Sequence, residues 1–123
     1  MITDGLQHTS ELKVDEAVTA IAMGSGNLPV LATPAMMALM ENAAMLAVAP
    51  HLPEGNTTVG GHIAASHIKP TRVGETVTAT ATVIKVDGKK IEFEVKAYCG
   101  DTLLSEGTHL RFIVDKEKFM SRL

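Results

Sequence analysis

Between Thr33 and Pro50 the chain reads TPAMMALMENAAMLAVAP, and this stretch limits the possible folds more than any other. Thr33 offers an N-cap oxygen, Pro34 brings the preset φ of a first helical position, and Pro50 forbids continuation, so the spacing predicts one helix over these residues. At 1.5 Å per residue it is about 24 Å long. Its apolar residues leave no polar face, so other structure must wrap it. One full negative charge, Glu41, stands in the middle of it beside Asn42. A carboxylate in an apolar setting costs several kcal/mol unless it is hydrogen-bonded or protonated. Either Glu41 looks into water along a strip shared with Asn42, or it is kept for chemistry.

The rest of the chain is punctuated like a sheet. Ser10 to Ile21 mixes Leu12, Val14, Val18 and Ile21 with charges and is expected to be an edge-like strand. A loop, GSGNLPVLA, leads to the helix. After HLPEGNTT the chain is extended from about Val59 to Lys69, where Pro70 holds the preceding residue in β or polyproline geometry. TRVGET turns, and VTATATVIKV alternates at period two. Asp87-Gly88 marks a hairpin. The return strand IEFEVKAYC puts Ile91, Phe93, Val95, Ala97 and Cys99 on one face and Glu92, Glu94, Lys96 and Tyr98 on the other. Gly100-Asp101 turns again, TLLSEGTHLRFIV forms a last strand, and DKEKFMSRL is a charged tail. Residues 1–123 thus form one α+β domain, an antiparallel sheet of about five strands curled around one long central helix. One such layer leaves a flank of the helix uncovered, so an obligate homodimer is expected, and a dimer of dimers is compatible with it.

Composition removes several classes of function. A net charge of -3, with one Tyr and three Phe, supplies neither a basic field nor a stacking platform for nucleic acid. The single cysteine, Cys99, cannot form an internal disulfide and fits a small core residue in a reducing compartment. No secretory signal precedes the first strand, and residues 34–49 are shorter than the ~20 needed to span a bilayer, so neither membrane nor export is expected and the cytoplasm is the expected location. His62, His67 and His109 lack the close spacing of a zinc motif, and no metal is expected. Neither a glycine-rich phosphate loop nor a GxSxG elbow is present.

Five residues remain as candidates for chemistry. Glu41 is the first. Thr33 has a bland explanation as a cap, worth ~1 kcal/mol. His67, mid-strand among Ala, Ser and Ile, carries the side-chain type suited to a proton shuttle, although a lone strand histidine is more often structural. Gly60-Gly61 permits close backbone approach, and amides exposed there are suited to an oxyanion; a tight loop exit explains the pair equally well.

Taken as a set, ATPAMMALMENAA closed by Pro50, VGGHIAASHIKPTRVGETV, and VDGKKIEFEVKAYCGDTLLSEGTHLRFIV resemble a hot-dog-fold thioesterase of the fluoroacetyl-CoA thioesterase-like branch. The resemblance covers about residues 30–114. It implies a five-stranded sheet around the helix, paired into a dimer with active sites at the interface, acting on acyl-CoA without a further cofactor. It also implies that Thr33, Glu41 and His67 are catalytic, that the Gly60 amide touches the thioester, and that Arg111 lies near the acyl pocket; Gly61 accompanies Gly60 in substrate binding. The fluoroacetyl-specific enzyme closes its pocket with aromatic side chains before the helix, whereas MGSGNLPVLA has none, so a short or medium acyl-CoA is the expected substrate.

Within that scheme Glu41 either attacks the carbonyl or activates water, Thr33 either attacks or positions a partner, and His67 moves the proton. Thr33 and Glu41 are eight residues apart, ~12 Å along one helix and about 80° around it, so they cannot meet within one subunit. Either the helix starts later, or Thr33 comes from the partner chain. A non-catalytic acyl-CoA or acyl-carrier binding protein of the same fold is the competing reading. A hydratase ranks last, because the acid and histidine it would hold in one loop motif are absent.

Overall fold

The computed structural model describes residues 1–123 throughout. Five strands, β1 (Gln7–Lys13), β2 (Asn56–His67), β3 (Thr76–Asp87), β4 (Lys90–Cys99) and β5 (Thr102–Asp115), form one antiparallel sheet in the order β1-β3-β4-β5-β2. Three helices accompany them: α1 (Ala20–Met23), α2 (Thr33–Val48) and α3 (Lys116–Ser121). The curled sheet holds α2 against β1, β3 and β4, which is the hot-dog arrangement expected.

The period-two pattern explains how the sheet meets the helix. Val77, Ala79, Ala81 and Val83 of β3, with Ile91, Phe93, Val95 and Ala97 of β4, are buried beneath Ala35, Met36, Leu39, Met40, Ala43, Ala44, Ala47 and Val48 of α2. Burying a large apolar side chain of this kind stabilises by about 1.5–3 kcal/mol, so these layers supply most of the cohesion. The four buried alanines of α2 and three of the sheet bring the two layers close. On β5 the inward face changes character: Ser105, His109 and Arg111 are buried there in place of apolar residues.

The structure differs from the sequence expectation at four places. The first strand is Gln7–Lys13 and does not reach Ile21, because Asp15 accepts a hydrogen bond from the Ala17 amide and Thr19 one from the Ala22 amide, turning the chain into a 3-10 turn and then α1. Thr33 is not the N-cap of α2. Ala32 holds that position without a side-chain hydrogen bond, and Thr33 is already helical. The charged tail forms α3, capped by Asp115, which accepts from the Lys118 amide. Finally, the helix is not wrapped on every side. Pro34, Ala38, Asn42 and Leu46 form an exposed i, i+4 strip, and Glu41 beside it is half-buried.

Two features of β2 bear on the site. It is an edge strand, paired only with β5, so alternate backbone groups face outward. It also carries a bulge between Gly60 and His62. Gly61 is the extra residue, and the Phe112 ring covers it so closely that a Cβ there would collide with Phe112 Cε2 and Cδ2.

Candidate active site

Two clusters of polar side chains meet α2, one at its first turn and one at its middle. At the first turn, Thr33 Oγ1 is 2.7 Å from His67 Nδ1. Because Ala32 takes the N-cap position, the Thr33 hydroxyl is not spent on a helix amide and is available to the imidazole. His67 ends β2, directly opposite Ser105 on β5. Its Nε2 is buried without a hydrogen-bond partner, and so is Ser105 Oγ. A hollow of about 300 Å³ opens here between Thr33, His67, Ile68, Lys69 and Pro70. It adjoins a trough of about 280 Å³ that shares Lys69 and Pro70 and continues past Arg72, Glu75 and Cys99. The segment between is held by Ile68 N–H to Leu104 O at 2.6 Å, Leu31 N–H to Thr71 O at 2.9 Å, and a bridge between Val30 and Arg72.

At the middle of the helix, Glu41 faces the β2 bulge. A methyl group added at Gly60 would stand 3.1 Å from Glu41 Oε2, 3.4 Å from His109 Cε1 and 3.5 Å from Arg111 Nη1, so the absent side chain leaves a hollow no larger than a methyl group among a carboxylate, an imidazole and a guanidinium. Of the glycine pair, only Gly60 borders this hollow. Arg111 is pinned by Nε to Thr58 Oγ1 at 2.8 Å and Nη2 to Thr58 O at 2.9 Å, and Nη1 lies 3.2 Å from His109 Nε2. His109 Nδ1 is 2.7 Å from the His62 carbonyl. Burial, followed by the nearby Arg111 charge, pushes the His109 imidazole below its ordinary pKa, against an opposing pull from the His62 carbonyl and Glu41. Burial also lowers the pKa of Arg111, while Glu41 acts to raise it.

The structure therefore brings Thr33 to His67 and Glu41 to Gly60 and Arg111, as two groups separated along one helix. Glu41 is half-buried beside polar groups, unlike the desolvated carboxylate that the apolar helix suggested. The sequence reasoning missed Thr58 and treated His109 only as a weak metal candidate. The signal for His109 was present in GTHLRF, where strand alternation puts His109 and Arg111 on one face. No group of three or more His, Cys, Asp or Glu that could hold a metal ion occurs.

A family model described as fluoroacetyl-CoA-specific thioesterase matches residues 14–117 of this chain. The chain belongs to that family. The fluoroacetyl-CoA thioesterase of Streptantibioticus cattleyicolor is 37% identical over 94 residues, 76% of this chain and 68% of that protein. A solved structure of a fluoroacetyl-CoA thioesterase superposes with a TM-score of 0.93 at 30% identity, over 99% of this chain and 95% of that one. A variant of that enzyme has been solved with acetyl-CoA. A thioesterase superfamily member from Thermus thermophilus matches with a TM-score of 0.91 at 27% identity, over 99% of this chain and 90% of that one. In family terms, the chain is a hot-dog thioester hydrolase, and the two polar clusters lie where α2 meets β2 and β5.

Proposed function

We propose that this protein hydrolyses short or medium acyl-CoA thioesters, and that one active site is assembled from the Thr33–His67 pair of one subunit and the Glu41–Gly60–Arg111 group of another. The observation that carries the proposal is the 2.7 Å contact between Thr33 Oγ1 and His67 Nδ1. A hydroxyl bonded to an imidazole is the arrangement that makes a weak nucleophile reactive, since the ring accepts the proton as the oxygen attacks. For that step the Thr33 hydroxyl donates to Nδ1 and the ring proton sits on Nε2.

The acyl group then occupies the hollow at Gly60, with its carbonyl oxygen toward the β2 edge and Arg111 alongside. Thiolate leaves as CoA after accepting the proton from His67; Glu41 then takes a proton from water as its oxygen attacks the acyl carbon, and that proton goes to Thr33 Oγ1 as the acid is released. The CoA arm runs along the trough from Thr33 past Lys69 and Arg72, neither of which is held in an ion pair.

The helix supports the dimer in this reading. α2 begins at Thr33, so the ~12 Å between Thr33 and Glu41 is not shortened by a late start. The exposed strip Pro34, Ala38, Asn42 and Leu46 and the unpaired edge of β2 are the surfaces that a second copy would cover. The soluble interior of a cell, where acyl-CoA is made and used, is the location this reading fits.

The test is thiol release from a panel of acyl-CoAs by wild type, Thr33→Ala and Glu41→Gln, with intact-protein mass measured during turnover. The expected result is a loss of ~100-fold or more in kcat for each variant and an acyl adduct on Thr33 that persists in Glu41→Gln. Solvent heavy oxygen incorporated into the Glu41 carboxyl in a single turnover would instead establish Glu41 as the nucleophile. Binding of every acyl-CoA without hydrolysis by wild type would replace the enzyme with the acyl-CoA binding protein.

A further inference from the structure

Arg111 and Glu41 flank the same small space, with Arg111 Nη1 and Glu41 Oε2 each within about 3.5 Å of the point where a Gly60 Cβ would stand. Yet they form no ion pair; the one salt bridge of the structure is Lys96–Glu94 on the surface. Opposite charges this near, with Arg111 buried, attract strongly unless something holds them apart. Thr58 cannot be the whole answer, because both of its bonds to the guanidinium fall on one edge, at Nε and Nη2. A cation held along one edge can still tilt its opposite corner, Nη1, toward Glu41.

His109 holds that corner. The hydrogen-bond chemistry fixes its state from both sides. The His62 carbonyl can only accept, so Nδ1 carries the proton; the guanidinium can only donate, so Nε2 offers its lone pair at 3.2 Å. His109 is 1% exposed, and Phe93 packs against it with ring centroids 6.0 Å apart. It touches neither Thr33 nor Glu41 by hydrogen bond, and the scheme above gives it no step. We propose that His109 is a positioning residue: its neutral Nε2 draws Arg111 Nη1 away from Glu41, which keeps the hollow at Gly60 open for the acyl group and leaves the Glu41 carboxylate unpaired. The two charges are then presented to substrate rather than to each other. This rests on the reading of Glu41 and Arg111 as parts of the acyl site.

Two substitutions separate this role from simple core filling. Asn at 109 retains a side-chain N–H for the His62 carbonyl but lacks an acceptor at the Nε2 position, whereas Gln places an acceptor there. His109→Asn should lose ~10-fold or more in kcat/KM, with the loss shared by KM as the hollow closes and kcat as Glu41 becomes paired, while His109→Gln should stay within about 3-fold of wild type. The third variant is Arg111→Met. Without the guanidinium there is nothing for His109 to restrain, so adding His109→Asn to Arg111→Met should cost nothing more.

Equal activity of His109→Asn and His109→Gln, or losses that multiply in the double variant, would overturn the proposal. If either His109 variant fails to fold, wild type is compared with Arg111→Met as the pH is lowered. Protonation of His109, which faces Arg111 from β5, His62 from β2 and Glu41 from α2, should depress kcat/KM in wild type and add no loss where Arg111 is absent. A wild type inert on every acyl-CoA is a different failure, that of the thioesterase reading itself.

Discussion

Thr33 shows how a shift of one residue at a helix start redirects a hydroxyl from capping to an imidazole. By sequence it is an ordinary helix cap before proline; in the structure Ala32 takes that place and the hydroxyl turns to His67. The sequence could not reveal this, because a shift of one residue at a helix start is within the uncertainty of any boundary read from residue type. Glu41 and Gly60 were legible, the first as a charge in an apolar run and the second as a glycine in a strand. His109 was harder, since its importance lies in what Arg111 does. It also carries a pH signature. Its folded pKa is depressed, chiefly by burial, so below about 6.5 the unfolded chain binds a proton that the folded one refuses. The stability this neutral histidine allows is fully present above that value and is lost as pH falls through the folded pKa. Melting temperatures of wild type and His109→Gln measured from pH 8 to pH 5 should diverge on the acid side, with wild type falling more steeply. Parallel curves would refute the assignment.

At the scale of elements, the strands were readable because alternation is a strong signal where one face is buried. Val77 to Val83 and Ile91 to Ala97 are inward as their spacing required. The stretch after Lys13 was misread because Asp15 and Thr19 bind nearby amides and break a pattern that apolar spacing alone would extend. The bulge in β2 was visible only as Gly60-Gly61, two glycines that turn out to do different things. Gly60 leaves room for the hollow, whereas Gly61 lies under Phe112, whose ring is 38% exposed and can swing outward. Gly61→Ala should therefore cost only about 1 kcal/mol in a denaturation experiment, while Gly60→Ala should leave stability nearly unchanged and lower kcat/KM, because its methyl fills the space that the acyl group needs. A Gly60→Ala enzyme of wild-type activity would move the acyl site elsewhere.

For the whole molecule, the fold was largely legible, because a helix too apolar for a surface and too short for a membrane leaves few alternatives to a sheet around it. The proposed assembly of the two polar clusters across subunits rests on one constraint, the distance along α2. Ala38 lies exposed on the open flank of the helix, so Ala38→Arg should leave the folded subunit intact yet place a charge between copies. Sedimentation should show monomer, and kcat/KM should fall by ~100-fold or more because the two clusters no longer face each other. A folded Ala38→Arg monomer with full activity would show that a single subunit suffices.

The alanines that line α2 and the sheet make a further point about this architecture. Ala35, Ala43, Ala44 and Ala47 on the helix and Ala79, Ala81 and Ala97 on the strands belong to one buried core, and together they set the gauge of a track. One rail carries Thr33 and Glu41, and the other carries His67 and Arg111. Widening the gauge by a single methyl spreads the rails along the length that both clusters share, so the spacing of the polar groups is written in residues that carry no polar side chain at all.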